Sequence, residues 1–279
     1  MPKRLKVILI SNQRSIFEDV KNEIEDLGLD VEISYIEESS FNKSVSIESD
    51  AVIFAGSDKV SAAVIEHCKR KKINLVDYSA PVPETRMLYE IYKIFSEFNP
   101  EYFSANLMFS ASYYGEEGVA ELTSQTISLF NQGMMENSVF PKRIAFNILP
   151  GLGRVMDDGK TVVESGIESL MSKMISSRGL NISISTLVMP VIAGLAAVIT
   201  LKANDECKIS KIEKAFEDSD KFIYYSEPND FPTVLDLEKD KIHVGRLRSC
   251  GYGYFSLFVI ADNIRTLRVR PIVEQIKAG

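Results

Sequence analysis

Cysteine is scarce and poorly placed for its common structural uses. The chain carries Cys68, Cys207 and Cys250. An odd number at wide spacing, with no Cys-x-x-Cys pair, indicates neither a disulfide framework nor a zinc site. No metal is expected, and a reducing compartment fits best. Excess basic charge is also absent: a net charge of -7 and a pI near 5.1 exclude wholesale binding to nucleic acid, whose phosphates need a basic surface. The basic stretch at the end, where Arg246, Arg248, Arg265, Arg268, Arg270 and Lys277 outnumber Asp262 and Glu274, is better explained by a solvated or ion-paired surface than by an anion site. Histidine is limited to His67 and His243. Adjacent helix residues point apart, so His67 and Cys68 form no dyad, and His243 reads as a strand residue.

Long uncharged runs are missing except between Asn181 and Leu201, a stretch about long enough to cross a bilayer as a helix. Ser183, Ser185 and Thr186 alternate there with Ile182 and Ile184, Pro190 sits in the middle and Gly194 offers a turn. Two buried strands explain it better, and no membrane partner is expected. The start, Met1 to Lys6, is positive but leads into an apolar run too short for a signal peptide. A cytoplasmic location is expected.

What the chain does have is the composition of a soluble globular protein, 45% hydrophobic and 25% charged, and enough length for two domains. The first hundred residues alternate strands with helices, the pattern of a parallel sheet covered on its faces. Strands are expected at 6–10, 31–36, 51–55 and 73–77, with helices at about 15–27 and 58–72. Ser15 and Glu18 read as a capping box opening the first helix, whose apolar face would be Phe17, Val20, Ile24 and Leu27, ending at Gly28. Residues 81–100 read as a helix or an irregular crossing between domains. Beyond them, helices are expected at 113–132, 160–177 and 208–217, and strands at 180–190, 197–202, 241–247 and 254–260. A closing helix at 264–277 would be interrupted or delayed by Pro271.

From Leu107 onward the sequence resembles the aspartate-semialdehyde dehydrogenase family. The resemblance is carried by Ser110-Ala111-Ser112 with Gly115 and Gly118-Val119-Ala120-Glu121-Leu122, and by Ile144-Ala145-Phe146-Asn147-Ile148-Leu149-Pro150. It continues through Val188-Met189-Pro190-Val191 with Gly194, through Val244-Gly245-Arg246-Leu247-Arg248, and through Val259-Ile260-Ala261-Asp262-Asn263-Ile264-Arg265, all in the family's order. The implied fold is α/β. A Rossmann-like, dinucleotide-binding-like domain would comprise 1–103 and 262–279, and an α+β dimerisation domain 104–261.

The resemblance also implies a chemistry for active relatives: reductive dephosphorylation of an acyl phosphate by NADPH, through a thioester on cysteine. This chain lacks its parts. Ser11-Asn12-Gln13-Arg14 replaces the glycine-rich phosphate loop, with no glycine before Gly28. The interval that carries the family's nucleophile holds no cysteine. Leu195 follows Gly194 where the family has its acid–base histidine, and Val188 replaces its substrate arginine. No catalytic residue and no cofactor are therefore expected. The resemblance then implies a degenerate, non-catalytic paralogue, working as a homodimer or as a heteromer with an active family member. The alternative is an NADP-dependent semialdehyde dehydrogenase of amino-acid biosynthesis with relocated residues, binding nucleotide through Arg14, Ser57, Ser79 and Asn263. A third expectation is a small ligand in a vestigial interdomain cleft, with Tyr113, Asn147 and Arg246 as lining candidates.

Overall fold

A computed structural model of the chain describes residues 4–12, 14–41, 48–56, 58–77, 82–131, 133, 137–175, 179–204, 206–227, 229–237 and 241–278. In chain order its elements begin with β1 (Leu5–Ser11), α1 (Arg14–Asp26), β2 (Val31–Glu37), β3 (Ala51–Ala55), α2 (Asp58–Lys71) and β4 (Asn74–Asp77). Next come α3 (Val82–Phe95), β5 (Tyr102–Phe109), α4 (Gly115–Phe130), β6 (Leu149–Pro150), α5 (Val162–Ile175), β7 (Asn181–Val188) and β8 (Leu195–Lys202). The chain closes with α6 (Ile209–Glu217), β9 (Phe222–Tyr224), β10 (Ile242–Gly251), β11 (Tyr254–Ala261) and α7 (Arg270–Ala278).

The contacts divide the chain into two compact units, residues 1–83 with 264–279, and residues 84–263. Residues 84–103, assigned from sequence to the first domain, belong to the second unit. The reason is aromatic packing: Phe95, near the end of α3, lies 6.5 Å from the Phe216 ring and 6.1 Å from Phe255.

The first unit holds a four-stranded parallel sheet in the order β2-β1-β3-β4. Alternation along β1 sends Val7 and Leu9 to one face, where they pack with Ile16, Val20 and Ile24 of α1 and with Ile272, Val273 and Ile276 of α7. Ile10 goes to the other face with Val64 and Cys68 of α2. The sheet is thus covered on both sides, as its apolar strands require. The closing helix begins late: Arg265–Val269 forms a wide π-type turn, and Pro271 sits in the first turn of α7, where a missing N–H leaves no bond unmade.

Helix α1 departs from expectation at its start. It begins at Arg14, so Ser15 lies inside it rather than capping it, and Glu18 pairs with Arg14. Its buried face is Ile16, Val20 and Ile24, with Leu27 exposed. A reciprocal capping box does exist at α5. There Glu164 Oε2 accepts from Thr161 N–H at 2.7 Å and Thr161 Oγ1 accepts from Glu164 N–H at 3.2 Å.

The second unit is built on a seven-stranded mixed sheet in the order β6-β7-β5-β8-β11-β10-β9. The uncharged stretch from Asn181 to Leu201 does form strands, β7 and β8. They do not pair with each other but flank β5, one parallel and one antiparallel. Among the described residues no helix is long and apolar enough to cross a membrane.

Candidate functional site

The carboxyl end of β5 is where the resemblance would locate chemistry, and the register there is explicit. Phe109 pairs with Val188 on one side and Leu195 on the other, and Leu195 pairs with Ala261. None of these four side chains is more than 1% exposed. The positions that match the family's arginine and histidine are therefore neighbours across one strand, in a closed apolar row.

Beside this row lies a buried polar cross-link. Asn263 Oδ1 accepts the Gly194 N–H at 2.8 Å, and its Nδ2 donates to Ser112 Oγ at 2.9 Å. Ser112 Oγ is in turn 3.0 Å from Ser110 Oγ. Gly194 has a φ of +101°, a conformation costly for a side chain, and a Cβ there would lie 3.3 Å from Val234. Asn263, a candidate nucleotide contact in the sequence, thus has its carboxamide engaged in joining the turn before β8 to the turn after β5.

Of the other candidates, Arg14 belongs to the first unit and Tyr113, Asn147 and Arg246 to the second. Arg14 is exposed at the start of α1, its Nε 3.4 Å from Glu18. Ser57 and Ser79 lie outside the described residues. The Tyr113 ring packs edge-on against Phe109 and Tyr114. Asn147 closes its own turn, donating to the Arg143 carbonyl and accepting the Ile148 N–H. Arg246 sits at a register shift in β10 with φ +55°, exposed. Bulges of this kind re-aim a side chain. Arg246 lines both an apolar cavity of about 340 Å³, with Met108, Ala196 and Phe258, and a second of about 280 Å³, with Tyr224, Tyr225 and Arg248.

Burial pushes the Cys68 thiol up and drives Cys207 up to about 11, which disfavours the reactive thiolate in both. Cys250 is exposed on β10. Burial, then Arg70 and Lys71, lowers the pKa of His67. His243 is fully buried, with Nδ1 3.0 Å from the Tyr225 hydroxyl. Among the described residues no three His, Cys, Asp or Glu converge on a metal position.

One residue of interest escaped the sequence. Glu38, just after β2, is 5% exposed, and its Oε2 would stand 2.6 Å from a Cβ at Gly56, just past β3. A carboxylate therefore lies against the backbone at the carboxyl end of the parallel sheet, the edge where such sheets bind ligands. Its signal was an acidic residue directly following the second strand.

Comparison with known proteins bears on this arrangement. A family profile described as "Semialdehyde dehydrogenase, dimerisation domain" matches residues 93–266. An aspartate-semialdehyde dehydrogenase of Rickettsia conorii is 30% identical over 161 residues, covering 56% of this chain and 47% of that protein. A USG-1 protein homolog of Pseudomonas aeruginosa is 29% identical over 160 residues, with the same coverage. The chain spans about half the length of the curated relatives it matches. The solved structure of a probable aspartate-semialdehyde dehydrogenase from P. aeruginosa superposes with a TM-score of 0.86 at 19% identity, over 99% of both chains, and shows the shared fold.

Proposed function

Because the chain belongs to the semialdehyde dehydrogenase family through its dimerisation domain, we propose that it is a non-catalytic member of that family, acting by binding as a homodimer. The observation that carries this reading is the row Val188, Phe109, Leu195 and Ala261, closed to solvent and without a polar atom on any side chain. The resemblance assigns the substrate arginine and the acid–base histidine to two of these positions. Apolar side chains there can neither orient a carboxylate nor move a proton.

The first unit supports the same reading. The turn between β1 and α1 has no glycine, its arginine is paired to Glu18, and the Glu38 carboxylate lies against Gly56. A dinucleotide's pyrophosphate needs backbone N–H groups and positive potential at that edge. These residues do not fit NADP. The relatives' names do not choose, since one is called a dehydrogenase and the other is not.

The test is an assay of the purified protein for NADPH-dependent reduction of an acyl phosphate and for oxidation of a semialdehyde, paired with sedimentation. The reading expects no turnover and a dimer at micromolar concentration. Turnover abolished by thiol alkylation would establish the NADP-dependent alternative, and a monomer would remove the homodimer. Association with an active family member is a narrower form of the reading, tested by co-purification with that enzyme.

A further inference from the structure

Where β9 stops, the edge of the large sheet opens into a small cavity. Tyr224 is the last residue of β9 to pair with β10, opposite Val244, and the Tyr225 N–H still donates to the Val244 carbonyl at 2.9 Å. Beyond that point β10 shifts register against β11 between Gly245 and Arg248, and Arg246 takes a φ of +55°. A cavity of about 280 Å³ lies here, lined by residues 224–227 after the β9 pairing and by residues 246–248 of the bulge. All of them belong to the second unit.

The walls are fixed by contacts made outside the cavity. The Tyr224 hydroxyl donates to Glu213 Oε1 at 3.1 Å, and its ring stacks on Phe216 at 5.8 Å. The Tyr225 hydroxyl lies 3.0 Å from His243 Nδ1. Both phenol oxygens therefore have partners elsewhere, and the two rings, with Leu247, give the cavity an apolar wall. The charges, by contrast, are open. Arg248 Nη1 donates to the Arg246 carbonyl at 3.2 Å, which tethers that guanidinium at the bulge. Arg246, Arg248 and Glu227 are all exposed, and among the described residues none of the three has an ion pair.

Two guanidinium groups against one carboxylate leave the cavity one positive charge in excess, which a single negative group complements. Guanidinium recognises a carboxylate through paired, charge-assisted N–H donors. The apolar wall suits a hydrocarbon body, and a volume at the low end for ligand pockets limits that body to about one ring. The left-handed backbone at Arg246 is strain of the kind that ligand clamps retain, and the bulge re-aims its side chain. We infer that this cavity binds a small monocarboxylate with a ring-sized apolar body. Arg246 and Arg248 hold the carboxylate, and Tyr224, Tyr225 and Leu247 receive the body. Walls already fixed lose little freedom on binding. The inference is independent of the homodimeric reading.

Benzoate is the probe, titrated into the purified protein by calorimetry up to high millimolar concentration. A saturable isotherm is expected. Acetate, which lacks the ring, and benzamide, which lacks the charge, should each bind at least about tenfold more weakly. Arg246→Gln and Arg248→Gln should each weaken benzoate about tenfold or more, the loss of a charge-assisted contact, with thermal melting confirming that each variant is folded. Arg248→Gln, away from the strained backbone position, keeps the test standing if Arg246→Gln does not fold. Glu227→Gln removes the opposing charge and should tighten benzoate about two- to fivefold. No saturation with benzoate, equal binding of benzoate and acetate, folded arginine variants that bind benzoate as the wild type does, or a Glu227→Gln variant that loses it would each overturn the inference.

Discussion

Glu121 and Glu164 are buried carboxylates whose neighbours explain why they stay. Glu121 Oε2 accepts the N–H groups of Ser138 at 2.9 Å and Val139 at 2.6 Å, and the Ser138 hydroxyl at 2.8 Å. Glu164 Oε1 accepts Thr186 N–H at 2.8 Å and Thr186 Oγ1 at 3.0 Å. Burial alone would raise both pKa values, but the converging donors hold them below the ordinary glutamate range. Since the folded value is the lower one, each carboxylate contributes its stability in full above the unfolded pKa and loses it as pH falls through that range. Melting temperature should therefore drop as pH is lowered past about 4, and Glu121→Gln should flatten that drop while costing about 1–3 kcal/mol at neutral pH.

Leu195 is the reverse case, a buried apolar side chain where the resemblance implies a titratable one. It was legible in the sequence as the residue standing where a histidine is expected, but the apolar row around it was not, because that depends on which strands flank β5. Leu195→His should destabilise the protein by about 2–4 kcal/mol, a polar ring entering a site without partners, and should restore no activity. Chemical denaturation and the acyl phosphate assay check the two halves of this expectation.

Among elements, those with clear periodicity were legible to within a few residues. Strand β3, helix α2 and the pair β7 and β8 follow from apolar runs and flanking turns. What escaped were elements whose identity depends on neighbours. The interior strand β5 mixes Ser104 and Asn106 into an apolar run, and β9 is three residues long, too short to carry a pattern. The capping signal was present twice, at Ser15 with Glu18 and at Thr161 with Glu164. Only at α5 does it become a cap, because there the glutamate is buried and also serves β7. Thr161→Ala should accordingly cost about 1 kcal/mol in denaturant unfolding, whereas Ser15→Ala, inside α1, should cost no more than a few tenths.

At the scale of the whole molecule, the sequence order of the motifs located the family and the two-part α/β architecture, and the profile match and the superposition agree with it. The division of the chain was less legible. Residues 81–100 read as a crossing, yet the aromatic residues of α3 join the second unit, a long-range choice that no local pattern announces. The candidate site shows the same limit. Missing residues could be read directly from the sequence, whereas the Asn263 cross-link joins positions 151 residues apart to Ser112, and the Glu38 contact with Gly56 depends on the parallel sheet bringing them together.

A non-catalytic member of the family needs no dinucleotide, so calorimetric titration of the purified protein with NADPH, carried to millimolar concentration, should give no saturable binding. A saturable isotherm in the micromolar range would mean instead that a dinucleotide site has been rebuilt from other residues, and the non-catalytic reading would fall.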